Sequence, residues 1–140
     1  MKESIQRAFA YIQGHKTDIG LAQIFDTTDF HVEAIDLLAN RIPGEAGIGL
    51  VVAIHSALKK RATLPALLIL GDLSIQGNLK AVRSLVEPLQ IAMDNGARRA
   101  LIPIENKRHF LDVPSDIIER VDPIFYGDPL TAAVKALGIN

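Results

Sequence analysis

Pro65-Ala66-Leu67-Leu68-Ile69-Leu70 runs without a polar side chain into Gly71-Asp72, and further along Arg99-Ala100-Leu101-Ile102-Pro103 repeats the pattern. A strand with one wet face alternates apolar and polar residues, whereas a strand covered on both faces has no polar side to show. Pro65 to Leu70 is therefore expected to be a central strand, and Arg99 to Pro103 a second short apolar strand. Helical periodicity flanks both. Between Glu3 and Gln13, Ile5, Ala8, Phe9 and Ile12 recur at helical spacing and Gly14 supplies a stop. Glu45 to Lys60 is apolar nearly all round and ends in the basic tail Lys59-Lys60-Arg61, which suits the C-terminus of a buried helix. Helices alternating with strands predict a layered α/β (α+β) domain with helices packed on a mixed sheet.

The punctuation between these segments supplies the remaining elements. Lys16 to Thr28 reads as a polar connection, and Phe30, Val32 and Ala34 then alternate with Asp29, His31 and Glu33 as in a half-buried strand. Arg41-Ile42-Pro43-Gly44 reads as a turn. Gly77-Asn78 predicts a hairpin turn into Leu79 to Val82, and Ser84-Leu85-Val86-Glu87 has the form of a capping box opening a helix that Asn95-Gly96 closes. Ser115 to Arg120 is expected to be a short helix and Pro123 to Tyr126 a strand. Asp128 can cap a last helix with Pro129 in its first turn and Gly138 at its end.

At 140 residues the chain fits one domain, and with 49% apolar but only 5% aromatic residues its interior must be built from Ile, Leu, Val and Ala. A formal net charge of -1 offers no global attraction to nucleic acid or an anionic membrane. The absence of cysteine removes disulfides, thiol nucleophiles and Cys-ligated zinc, and fits a reducing, cytoplasmic setting. Met1-Lys2-Glu3-Ser4 is charged rather than apolar, so no signal peptide is expected. The apolar runs Ile48 to Ile54 and Ala66 to Leu70 are far short of the ~20 residues that span a bilayer.

Phosphate-cradling glycine motifs and the Gly-x-Ser-x-Gly elbow are missing, so ATP hydrolysis and elbow-type hydrolysis are not encoded here. Asp29, His31 and Glu33 would share one strand face, where they offer a metal site or, more simply, a solvated row. Ser56 and Lys60 stand four apart on the expected helix and mimic a Ser-Lys pair, but an exposed lysine keeps a pKa of about 10 and is no base at neutral pH. His55 is expected to be a hydrogen-bonded core residue, and Glu105-Asn106-Lys107-Arg108-His109 a solvated loop.

Several segments resemble the proteolytic domain of Lon-type ATP-dependent proteases. Gly71-Asp72-Leu73-Ser74-Ile75-Gln76-Gly77 is similar to that family's Gly-Glu-hydrophobic-Ser-Leu-Arg-Gly. Ile102-Pro103-Ile104-Glu105-Asn106-Lys107-Arg108 is similar to its Ile-Pro-x-Glu-Asn-Lys-Arg. Ala46-Gly47-Ile48 resembles the Ala-Gly-Ile that follows the catalytic serine, Asp29-Phe30-His31-Val32 resembles Asp-Ile-His-Val, and Met1 to Gln6 resembles Met-x-Glu-Ser-Ile-Gln. The C-terminal stretch, Leu85 to Ala92 and Phe125 to Gly138, looks closer to the Lon-like proteins of BREX phage-resistance systems.

Matched without gaps, the family's catalytic serine falls on Glu45 and its lysine on Val86, and no serine occurs from Arg41 through His55. In Lon-type chemistry the lysine takes the proton of the attacking serine, so neither half of the pair remains. The resemblance implies a Lon-like fold without catalytic residues, whose candidate cleft residues are His31, Glu33, Glu45 and Asp72. It implies no cofactor or metal in this domain. ATP and Mg would belong to a preceding ATPase region of a longer parent, as would contact with DNA. It also implies a homo-oligomeric ring in that parent and no contact with membranes. Two other readings stay open: an active Lon-type peptidase using an unusual pair, and a small-molecule or metal-binding domain.

Overall fold

The computed structural model describes residues 2–17, 22–27, 29–31 and 47–138. Helix α1 (Lys2–His15) opens the chain and buries Ala8, Tyr11 and Ile12 on one face, as its spacing requires. Where a polar connection was expected, Ala22–Thr27 forms a short helix, α2. Thr27 Oγ1 donates to Gln23 O at 2.9 Å and Phe25 packs with Phe9 and Phe30, their centroids 6.4 and 5.4 Å away. That aromatic cluster is a tertiary contact, invisible to local periodicity. Of the strand expected around Phe30 to Ala34, Asp29, Phe30 and His31 lie in neither helix nor strand, and residues 32–34 fall outside the described set.

Helix α3 (Gly47–Lys59) buries Ile48, Val51, Val52, Ile54, His55 and Leu58 against α1 and the last helix, α7 (Pro129–Ala136). Its β-branched content is poor helix material in isolation, so packing on two sides is what holds it. The end of α3 is tied down by Arg61 Nε, which donates to Leu137 O at 3.0 Å. Asp128 caps α7 as its sequence predicts, accepting from Thr131 N at 2.9 Å.

Three parallel strands follow the order β1-β4-β5, with β1 at Leu67–Ile69, β4 at Arg99–Pro103 and β5 at Asp122–Tyr126. Among the described residues β4 is the central strand and β1 flanks it, reversing the emphasis of the sequence reading. The burial pattern gives the reason. Residues 100–103 are fully buried, while Leu67, Leu68 and Ile69 are only half-buried. Side chains of β4 alternate between two clusters: Leu101 joins α1, α3 and α7 on one face, and Ala100 and Ile102 join Leu85, Leu89, Met93 and Ile117 on the other. Each of Leu101 and Ile102 contributes roughly 1.5–3 kcal/mol by complete burial.

A separate antiparallel hairpin joins β2 (Asp72–Leu73) to β3 (Leu79–Lys80), its turn closed by Ser74 N donating to Asn78 O at 2.9 Å. Helix α4 (Val86–Asp94) follows. The expected capping box does not form. Leu85, already helical at φ -100 and ψ -30, occupies the cap position with no side-chain bond, because the chain turns in to bury Leu85 in the second cluster. After β4 comes a 3-10 turn at Ile104–Asn106 and two short helices, α5 (Lys107–Phe110) and α6 (Ser115–Ile118). The expected solvated loop at Glu105 to His109 is thus helical, and Asn106 is wholly buried.

Candidate functional site

Of the candidate cleft residues, Asp72 stands at the start of α3. The carboxylate of Asp72 is buried and accepts from Leu73 N at 2.8 Å and from Gly47 N at 3.1 Å. It faces the N-terminal end of α3, where unpaired amides and the helix dipole both favour a negative charge. Only glycine admits this approach, since a Cβ at Gly47 would sit 2.5 Å from Asp72 Oδ1. Asp72 is therefore an anchor for α3, with one of its oxygens committed to two backbone amides.

Gly71 forms the adjoining wall. Its φ of +129 lies in the region that glycine alone enters readily, and a Cβ there would meet the Tyr126 hydroxyl at 2.1 Å. That hydroxyl donates to Leu70 O, and burial pushes the phenol pKa well above its ordinary value, so Tyr126 stays neutral and acts as a strut. The sequence reading missed Tyr126, because nothing local marks a tyrosine whose partner stands 56 positions away.

The stations matched to a catalytic pair are otherwise occupied. Val86 is the first residue of α4 and 41% exposed, and its isopropyl group has no proton to give or take. Glu33 and Glu45 lie outside the described residues, and His31 is exposed in neither helix nor strand. Ser56 Oγ donates to the backbone oxygen of Arg61, and Lys60 is exposed, with φ 52 at the end of α3. The mimic pair is thus not assembled as a hydroxyl beside a buried amine. Ser74 Oγ accepts from Asn78 N at 3.0 Å and serves the hairpin turn. Among the described residues no group of three or more His, Asp or Glu side chains is placed to hold a metal ion, and no helix is long and apolar enough to cross a membrane.

Asn106 holds the segment that leads to Val86. Its amide accepts from Val82 N at 3.0 Å and donates to Val82 O at 2.9 Å, with His109 Nδ1 at 3.0 Å from the same nitrogen. The turn after β4 is thereby clamped to the irregular segment between β3 and α4. The motif that drew attention to Glu105-Asn106-Lys107-Arg108 contained this residue without showing what its amide does. Along α4 runs a groove of about 630 Å³ whose lining includes Leu68, Leu70, Arg83, Glu87, Pro88 and Ile91.

His55 corrects a second expectation. It is 2% exposed, yet among the described residues neither ring nitrogen has a hydrogen-bond partner. Desolvation, then the nearby Lys59 charge, lower its pKa below the ordinary 6.5. The unfolded chain therefore takes up a proton near that pH while the folded ring stays neutral. Stability is expected to be complete above about pH 6.5 and to fall as the pH drops towards the folded-state pKa. Urea unfolding between pH 7.5 and 5 checks this. The His55→Leu variant should lose that part of the pH dependence, and an unchanged profile would show that His55 is not its source.

Comparison with known proteins extends the picture. The family model for the Lon protease (S16) C-terminal proteolytic domain matches residues 1–134. Among curated relatives, a Lon-like protease BrxL of Escherichia coli is 28% identical over 99% of this chain, and its Bacillus cereus namesake 27% over 99%. The Lon protease of Buchnera aphidicola is 32% identical over 85% of the chain. The chain spans only 20% and 21% of the two BrxL proteins and 15% of the Lon protease.

Proposed function

Because the chain belongs to the Lon protease (S16) C-terminal proteolytic domain family, we propose that it is a non-catalytic member, an assembly or regulatory module of a ring-forming ATPase. The observation that carries this reading is Val86. Ser-Lys hydrolysis needs a neutral amine positioned to take the serine proton, and a valine at the first turn of α4 supplies only hydrocarbon. At the other station the sequence has Glu45, a weaker nucleophile with no hydroxyl.

The kinship with proteins named Lon-like protease BrxL supports a place in a phage-resistance system of the BREX kind. In this reading ATP and Mg are handled by a separate ATPase region of the parent protein, which also makes any DNA contact. The domain itself works in the cytoplasm, within a homo-oligomer and without a cofactor.

A serine-acylating β-lactone tests the loss of catalysis. Attack by an activated hydroxyl opens the lactone and leaves the whole reagent as an ester, so the protein gains the reagent's mass. Intact-protein mass spectrometry is expected to show no stoichiometric gain. One adduct per chain on a single serine, removed by substituting a single lysine, would mean that a working pair exists elsewhere in the fold.

A further inference from the structure

Asn95 and Gly96 end α4, and they form the one Asn-Gly pair in the chain. Gly96 stands at φ +96, a conformation that the turn out of the helix demands and that glycine meets without strain. Both residues are exposed, and a Cβ built on Gly96 would meet no atom within 4 Å. The cap thus sets the least hindered of backbone amides directly after an asparagine. The other described asparagines differ. Asn78 is followed by Leu79, whose side chain crowds the amide, and Asn106 is wholly buried with its side chain bonded to Val82.

The chemistry that follows needs only water and hydroxide. Hydroxide takes the proton of the Gly96 amide, and the nitrogen attacks Asn95 Cγ. A C–N bond closes a succinimide ring while the Cγ–Nδ2 bond breaks, and Nδ2 leaves as ammonia after taking a proton from water, which regenerates the hydroxide. A further water opens the ring at either carbonyl and leaves aspartate or isoaspartate. In the closed turn both reacting groups are engaged: Asn95 Nδ2 donates to Ile91 O at 2.7 Å and Gly96 N donates to Met93 O at 3.1 Å. Reaction therefore waits on opening of the last turn, an event of low cost at a helix end.

We propose that Asn95 is a site of spontaneous deamidation gated by the last turn of α4, and that its conversion loosens the end of that helix. The product has no side-chain N–H for Ile91 O. It sets a carboxylate next to Asp94 and against the C-terminal carbonyls of α4, where the helix dipole disfavours negative charge. Asn95 also lines the groove along α4, so conversion adds an anionic group there.

Mass spectrometry of the tryptic peptide 84–98 from the full chain, sampled over weeks at 37 °C, tests the proposal. Aspartate and isoaspartate are expected to accumulate at Asn95, faster at pH 8 than at pH 6. In the folded protein the rate should be roughly tenfold or more below that of the chain unfolded in urea, the protection that two hydrogen bonds confer. Asn95→Gln, whose longer side chain closes a ring far less readily, should abolish the conversion. Asn95→Asp copies one product and should lower Tm by roughly 2–5 °C. Native Asn95 that stays intact while the unfolded chain converts completely, or conversion as fast at Asn78 as at Asn95, would overturn the assignment of the site. Equal rates in folded and unfolded protein would overturn the gate, and an unchanged Tm in Asn95→Asp would overturn the loosening of α4.

Discussion

Replacing Asn106 with alanine is expected to destabilise the domain by about 4 kcal/mol, since it strands two buried backbone groups of Val82 that each cost roughly 1–3 kcal/mol unpaired. In a chain of this size that corresponds to a fall of roughly 10–15 °C in Tm. Asn106→Asp should be nearly as damaging: it keeps an acceptor for Val82 N but replaces the donor with an oxygen facing Val82 O. Asn106 is wholly buried, so water cannot easily make good the loss. Urea unfolding followed by circular dichroism measures the effect. A cost below about 1 kcal/mol would show that the bracket between β4 and the entry to α4 carries little of the fold's stability.

Gly71→Ala is the second large effect. The backbone conformation at φ +129 costs a non-glycine residue roughly 1–3 kcal/mol, and the new methyl would lie 2.1 Å from the Tyr126 hydroxyl and 3.1 Å from Ile48 Cγ1. Tyr126 must then move and give up its bond to Leu70 O, adding about 1 kcal/mol, for a total of about 3 kcal/mol. The cause can be separated by a double-mutant cycle with Tyr126→Phe. Without the hydroxyl, Gly71→Ala should cost about 1 kcal/mol less, the remainder being backbone strain. An equal cost in both backgrounds would assign the whole effect to the backbone and remove Tyr126 from the argument.

These two residues show where sequence reasoning reached its limit. The apolar strands, the hairpin and the Asp128-capped helix were legible because each signal lies within a few residues: a run with no polar face, a turn pair, a cap followed by proline. Helix α2 was not, since its support is the packing of Phe25 with Phe9 and Phe30. Ser84 carried a capping signal that lost to the burial of Leu85. His55 was legible as buried from its apolar neighbours, but the absence of a partner among the described residues depends on what the rest of the fold brings near.

The site divides in the same way. Val86 stood out through the gapless match to the family's pattern, which needs no coordinates, and the structure adds its position at the first turn of α4. The role of Asp72 required the fold. A carboxylate after an apolar strand reads equally well as a catalytic group or an anchor, and the two amides on its Oδ1 favour the anchor. Asn106 and Tyr126 came only from contacts across 24 and 56 positions of sequence.

A Lon-family domain without a working Ser-Lys pair, as proposed here, hydrolyses no peptide bond. The most direct test is turnover of casein and of a fluorogenic peptide by the purified protein over a range of enzyme concentrations. The expected rate equals that of buffer at every concentration. A rate that rises in proportion to protein and vanishes in Ser56→Ala or Lys60→Ala would contradict it.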